Sequence, residues 1–130
     1  MARILVVDDD GDLCSALRNT LEGLLGHTVF VANDAAEALL VQKECHADLV
    51  MTDIFMPGSD GLELIQKLGR DNKGLKVIAM SGSSGRAYRE GRGAYQLVAA
   101  RALGVMQTLS KPFDVTTLAA AIDSTLSGKQ

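Results

Sequence analysis

Short apolar runs rich in β-branched residues recur along the chain at Arg3–Val7, Thr28–Ala32, Asp48–Thr52, Lys76–Met80 and Val105–Leu109. Runs of this length and composition read as strands. Between them apolar residues fall at helical spacing, most clearly Leu13, Ala16, Leu17, Thr20, Leu21, Leu24 and Leu25. Gly26 stands where that series stops, the usual place for a helix terminator. A second helix is predicted to open at Asp34 with Glu37, and a later one at Asp60 with Glu63. Each has an acceptor at the cap and a carboxylate three residues on that can bond back. The last helix starts near Asp114 and turns Leu118, Ala121, Ile122 and Leu126 inward.

Five strands alternating with helices predict an α/β fold with a parallel sheet, because each parallel step needs a long crossover. Nearly continuous apolar strands fit a sheet covered on both faces. In such doubly wound sheets, ligands sit outside the carboxyl ends of the strands, where the strand order reverses. The residues that close each strand are therefore where chemistry is sought.

A chain of 130 residues is about one domain's worth, so the expectation is a single domain over residues 1–130 with no output domain. At 47% hydrophobic and 22% charged residues it is neither disordered nor fibrous. The net charge of -3 argues against a nucleic-acid partner. Cys14 and Cys45 are too few for a disulfide framework, and no export signal is read at the start, which predicts a reducing cytoplasmic setting. No apolar run approaches the roughly 20 residues needed to cross a bilayer, so no membrane insertion is expected.

The strand ends carry Asp8, Asp9 and Asp10 after the first strand, Asp53 after the third, Ser81 after the fourth and Lys111 after the fifth. Two carboxylates about 5 Å apart repel by roughly 3 kcal/mol at an effective dielectric near 20, so positive charge must offset the cluster. Lys111 supplies one unit. Hard oxygen ligands without nearby Cys or His suit Mg²⁺. An aspartate beside Mg²⁺, a hydroxyl and a lysine is arranged to accept a phosphoryl group, since carboxylates form aspartyl-phosphates and the surrounding groups neutralise the equatorial oxygens.

The segments Ile4-Leu-Val-Val-Asp-Asp-Asp10, Asp48-Leu-Val-Met-Thr-Asp-Ile-Phe-Met-Pro-Gly58 with Asp60-Gly-Leu-Glu-Leu-Ile65, Val77-Ile-Ala-Met-Ser-Gly82 and Ser110-Lys-Pro-Phe113 resemble the response-regulator receiver family, from about residue 3 to 127. Any one of these motifs is weak; four in order at the right strand ends are strong. The resemblance implies a flavodoxin-like (βα)5 doubly wound sheet of five parallel strands, and phosphotransfer from the phosphohistidine of a sensor histidine kinase or histidine phosphotransfer protein. It further implies that Asp53 is the phosphoacceptor and that Asp8 and Asp9 are the acidic metal pair. The backbone carbonyl of Phe55 would be a further Mg²⁺ ligand, Ser81 the switch hydroxyl and Lys111 the phosphate-binding lysine, with the Lys111–Pro112 bond usually cis. Output would be binding to a downstream protein target, and the chain would be a phosphoacceptor that promotes its own phosphotransfer rather than an enzyme with a separate substrate.

Each residue also has a bland reading. Asp8, Asp9 and Asp10 can be a solvated turn with Asp10 or Asp12 capping the first helix, Asp53 a turn residue before Met56-Pro57-Gly58, and Lys111 a surface charge. Three rival motifs compete. Asp8, Asp10 and Asp12 imitate a calcium loop, yet Leu13 stands where glycine is required and Asn19 where a bidentate glutamate belongs. Asp8-Asp-Asp-Gly-Asp-Leu13 also resembles the first motif of haloacid-dehalogenase-type phosphatases, with Asp8 as nucleophile, but their further acidic motif near the C-terminus is missing and Asp53 is left unexplained. Glu44-Cys45-His46 cannot present three consecutive ligands to one ion.

The sequence departs from the receiver pattern in three places. The stretch from Ser81 to Lys111 is longer than usual in relatives and holds both tyrosines, Tyr88 and Tyr95, with Arg86, Arg89, Arg92 and Arg101. Such residues suit a partner surface, for which Tyr88, Arg89, Arg92 and Tyr95 are the candidates, while a solvated glycine-rich loop stays open as the alternative. Thr108 stands where relatives often carry the aromatic switch residue, so a switch led by the Ser81 hydroxyl is expected. Phe55 replaces a polar residue often linked to hydrolytic water, with Ser83 at the other position so linked, and this predicts slow loss of phosphate.

Overall fold

Five parallel strands make one sheet in the computed structural model, which describes residues 2–56, 59–82 and 100–128. In chain order the strands are β1 (Arg3–Val7), β2 (Thr28–Ala32), β3 (Leu49–Asp53), a small antiparallel pair β4 (Phe55–Met56) and β5 (Ser59–Asp60), then β6 (Lys76–Gly82) and β7 (Gln107–Lys111). The helices are α1 (Gly11–Asn19), α2 (Ala35–Cys45), α3 (Gly61–Asp71) and α4 (Val115–Leu126). The main sheet runs β2-β1-β3-β6-β7. The chain thus steps from β1 to one side and then crosses to the other, and the order reverses between β1 and β3.

Strand parity divides the core. Ile4, Val6, Leu49, Met51, Ile78 and Met80 point to one face and pack with Cys14, Leu17 and Leu21 of the first helical segment and Leu118, Ala121 and Ile122 of α4. Leu5, Val7 and Val50 point to the other face against Ala38 of α2 and Leu64 and Leu68 of α3. Both faces are covered by helices, as predicted for apolar strands.

The helix starts read at Asp34 and Asp114 are caps, and the Asp60 side chain lies outside the described residues. Asp34 Oδ1 accepts from Glu37 N at 2.7 Å, and Glu37 Oε1 reaches back to Asn33 N at 2.8 Å, one residue before the cap. Asp114 accepts from Thr117 N at 2.7 Å, and its carboxyl is held below the usual range by the Thr117 backbone N–H. Asp10, not Asp12, caps α1, accepting from Asp12 N at 3.0 Å and Leu13 N at 3.1 Å. Gly26 has φ 73, the left-handed conformation a terminator needs.

Predicted boundaries are corrected at the first helix and at three strands. The first helix does not run regularly to Leu25: at Thr20–Leu24 it widens into a π turn, closed by Leu25 N to Thr20 O at 3.2 Å. The extra residue per turn rotates Leu24 outward, to 72% exposure, where the regular spacing placed it inward. The fifth strand of the sheet is Gln107–Lys111 rather than Val105–Leu109. Val105 is buried, but it lies just after a turn with Gly104 at φ 96, and its N–H bonds Ala100 O at 3.2 Å. β6 continues to Gly82, which gives Ser110 and Lys111 ladder partners. Likewise β3 begins at Leu49, so Asp53 is its last residue rather than the one following.

Candidate functional site at the sheet switch point

The acidic site continues the face packed against α1 and α4. Leu49, Met51 and Asp53 alternate along β3, Leu109 and Lys111 along β7, and Asp8 extends the Ile4–Val6 series beyond β1. The apolar core thereby ends in charge where β1 and β3 emerge on either side of the reversal. Oxygens of Asp8, Asp9 and Asp53 lie within 4.8 Å of one another. Asp8 and Asp53 are buried and Asp9 is exposed.

Lys111 joins them. Its Nζ donates to Asp8 Oδ2 at 2.7 Å and to Asp53 Oδ2 at 2.9 Å. Burial acts to lower the ammonium pKa, but the hydrogen bonds and charges of Asp53 and Asp8 outweigh it and raise the pKa above the usual lysine value. Lys111 precedes Pro112 across a cis peptide bond, as the resemblance implied.

Asp8 is held from every side. Its N–H donates to Ala32 O at 3.1 Å, its Oδ1 accepts from Asp10 N at 2.9 Å, and its carbonyl accepts from Asn33 Nδ2 at 3.1 Å and from Cys14 Sγ at 3.4 Å. Burial, with the charges of Asp8 and Asp10, pushes the Cys14 thiol up to about 11. It therefore stays protonated at neutral pH.

Three carboxylates against one ammonium leave a local excess of negative charge. The donors are all oxygen, which is the set a hard divalent cation such as Mg²⁺ accepts. The chemistry of the residues present thus fits that ion.

Ser81 is buried on β6, one residue beyond Met80, which pairs with Asp53, and is itself paired with Ser110. Thr108 is half-buried on β7 opposite Ala79, without an aromatic ring. Phe55 lies on β4, two residues past Asp53, its backbone paired with Asp60. Tyr88, Arg89, Arg92 and Tyr95, with Ser83 and Arg86, lie outside the described residues; Arg101 is helical and exposed.

Three residues around the site were not singled out from the sequence. Asn33 closes the second strand and carries the same strand-end signal as Asp8, so reading every strand end would have found it. Cys14 has the sequence character of ordinary core. Gly61 is buried at the start of α3, where an added Cβ would stand 2.5 Å from Ile54 Cα and 2.7 Å from Asp53 O. Only glycine lets α3 approach the backbone that carries Asp53, a requirement no local pattern announces.

Comparison with known proteins agrees with this geometry. The family model described as "Response regulator receiver domain" matches residues 4–123. The DNA-binding transcriptional regulator NtrC of Azospirillum brasilense is 30% identical over 125 residues, covering 96% of this chain and 24% of that protein. The response regulator MprA of Mycobacterium leprae is 32% identical over 124 residues, covering 95% of this chain and 50% of the relative. The chain therefore spans between about a quarter and a half of the length of these relatives. A response regulator receiver domain protein from Clostridium thermocellum superposes with a TM-score of 0.85 at 25% identity, over 98% of this chain and 95% of that one. The parallel sheet, the acidic rim joined by Lys111 and these likenesses lead to one conclusion: the chain belongs to the response regulator receiver family, with its flavodoxin-like fold.

Proposed function

We propose that this receiver accepts a phosphoryl group on Asp53, in a Mg²⁺-dependent reaction, from the phosphohistidine of a sensor histidine kinase or histidine phosphotransfer protein. In that step an Asp53 carboxylate oxygen forms a bond to phosphorus as the phosphorus–nitrogen bond of the donor breaks, and the imidazole leaves with its electron pair and takes up a proton. The observation that carries the reading is Lys111, bonded at once to Asp8 and Asp53 at the switch point. Its ammonium would exchange one carboxylate partner for a phosphoryl oxygen. Asp8, Asp9 and Asp53, with the Phe55 carbonyl, would hold the cation, which when bound neutralises charge on the equatorial oxygens. Ser81 would donate its hydroxyl to the phosphoryl group once it arrives.

Signalling would proceed by phosphorylation-dependent binding to a downstream protein in the cytoplasm. Moving a population from 1:99 to 99:1 takes about 5.5 kcal/mol. A charge-assisted hydrogen bond from Ser81 contributes about 1.5 to 3 kcal/mol, so in the absence of an aromatic at Thr108 the partner completes the shift. A relay or phosphate-sink role differs in one observable, reverse transfer from Asp53 to a partner histidine. The net charge of -3 gives no ground for a nucleic-acid contact by this chain. The DNA binding in the NtrC name belongs to that relative.

The enzyme-class alternative is a haloacid-dehalogenase-like phosphatase with Asp8 as nucleophile. Against it, the Asp8 side chain is 1% exposed, less than the 8% of Asp53, and the further acidic motif of those phosphatases near the C-terminus is missing from the sequence. Incubation with acetyl phosphate and Mg²⁺, then mass-spectrometric mapping, separates the two. The modification is expected on Asp53 and absent from Asp53→Asn; its appearance on Asp8 would overturn the reading.

A further inference from the structure

The acidic rim occupies one edge of the sheet, and a surface of opposite character lies toward the other. α2 and α3 flank a hollow of about 690 Å³. Its apolar lining includes Leu39, Leu40 and Leu68, and its cationic lining is Lys43, Lys67 and Arg70, with Asp71 the one carboxylate. Against a chain of net charge -3 this is a local reversal of sign.

The charges alone have a structural explanation: Lys43 and Arg70 sit in the last turns of α2 and α3, where cations balance exposed helix carbonyls. Leu40 does not share it. It is 65% exposed, on a helix whose inward contacts are made by Ala35, Ala38, Leu39 and Val41. Its neighbours one turn away are Ala36 and Lys43 on the side of Leu39, and Glu37 and Glu44 on the other, all exposed, so Leu40 and Ala36 are apolar side chains on a face of α2 that is left uncovered and whose cation lies on the side of the hollow. The Lys67–Glu63 pair at the rim is 3.0 Å long with both side chains about half exposed, and exchanges readily for another carboxylate.

From this pairing of an uncovered leucine with a cationic rim, we propose that the α2–α3 hollow docks an acidic amphipathic segment of a protein partner, an apolar side chain seating on Leu40 and carboxylates meeting Lys43, Lys67 and Arg70. The surface is separate from Asp53, and the proposal does not require phosphorylation. A failure here leaves phosphoacceptance standing, and the reverse also holds.

The test titrates the full, unphosphorylated chain with a synthetic helical peptide of about 15 residues bearing leucine on one face and glutamate on the other. Amide NMR shifts locate the contact and fluorescence anisotropy measures it. Shifts centred on Leu40, Lys43, Lys67 and Arg70 are expected, with affinity lost at least about tenfold in Leu40→Gln and in Arg70→Glu and falling with added salt. Thermal melting of Leu40→Gln, a change at an exposed position, checks that it folds. Absence of saturable binding, shifts centred elsewhere, or unchanged affinity in both variants would overturn the proposal. So would equal binding of a leucine-free acidic peptide, which would leave only charge, or of a single-stranded oligonucleotide of matched charge, which would make the surface a polyanion site.

Discussion

Lys111 is held by two carboxylates, so its removal isolates what each charge does. Lys111→Met leaves Asp8 and Asp53 facing each other without their ammonium, a loss expected to cost about 3 kcal/mol. Because the same ammonium repels a divalent cation, the variant should recover more thermal stability from added Mg²⁺ than the parent does, while phosphotransfer falls. Equal recovery in the two proteins would contradict the charge balance described. Cys14 gives a second residue-scale test. Its thiol titrates at about 11 when folded against an ordinary 9.0. Between these values the unfolded chain binds fewer protons than the folded one, so stability is complete below pH 9.0 and falls by roughly 3 kcal/mol as pH rises toward 11. Urea midpoints measured across that range in chelator should fall more steeply for the parent than for Cys14→Ala. Phe55 is the third. If its side chain withholds water from the aspartyl phosphate, Phe55→Asn should shorten the phosphate lifetime, read by loss of label from pre-phosphorylated protein.

At the scale of elements, the approach of α3 to β3 decides where Asp53 sits. Gly61→Ala would put a methyl group 2.5 Å from Ile54 Cα, too close for either backbone to tolerate in place. The substitution should cost about 1 to 3 kcal/mol and slow phosphorylation, measured by melting and by label uptake together. Strand composition and helical spacing located all five strands of the main sheet, because burial on both faces demands continuous apolar runs. Caps at Asp34 and Asp114 were readable because a side-chain acceptor must stand where backbone N–H groups have no partner. Thr20–Leu24 was not legible, since a π turn leaves the apolar spacing intact and changes only the phase of the residues beyond it. Nor was the position of the last strand, because Val105 is as apolar as a strand residue while polar Ser110 and Lys111 belong to the ladder. The site at Asp8, Asp53 and Lys111 was legible because a parallel sheet delivers its strand ends to one rim. Asn33 carries that same strand-end signal without a charge to mark it, and Gly61 carries none, because close backbone approach is a property of three dimensions.

For the molecule as a whole, the reversal of strand order makes the carboxylate cluster a cost that folding must meet. Two of the three acids are buried there with Lys111 as the shared cation. Three carboxylates within 4.8 Å have pairwise repulsions of about 3 kcal/mol at an effective dielectric near 20, more than one lysine cancels. A cation bound only by the folded chain should therefore raise global stability by linkage, about 2.7 kcal/mol at a hundred times its dissociation constant. For a chain of this size that corresponds to a rise in melting temperature of about 10 °C. Screening alone predicts the same rise from sodium chloride at matched ionic strength, whereas a built site predicts an excess for Mg²⁺ that chelator reverses. The excess should shrink in Asp9→Asn, whose exposed side chain makes that variant the least disturbing to the fold. Were magnesium and sodium salts to stabilise parent and variant alike, the cluster would be a screened acidic rim rather than a metal centre, and the Mg²⁺ dependence proposed for phosphoryl transfer would lose its structural basis.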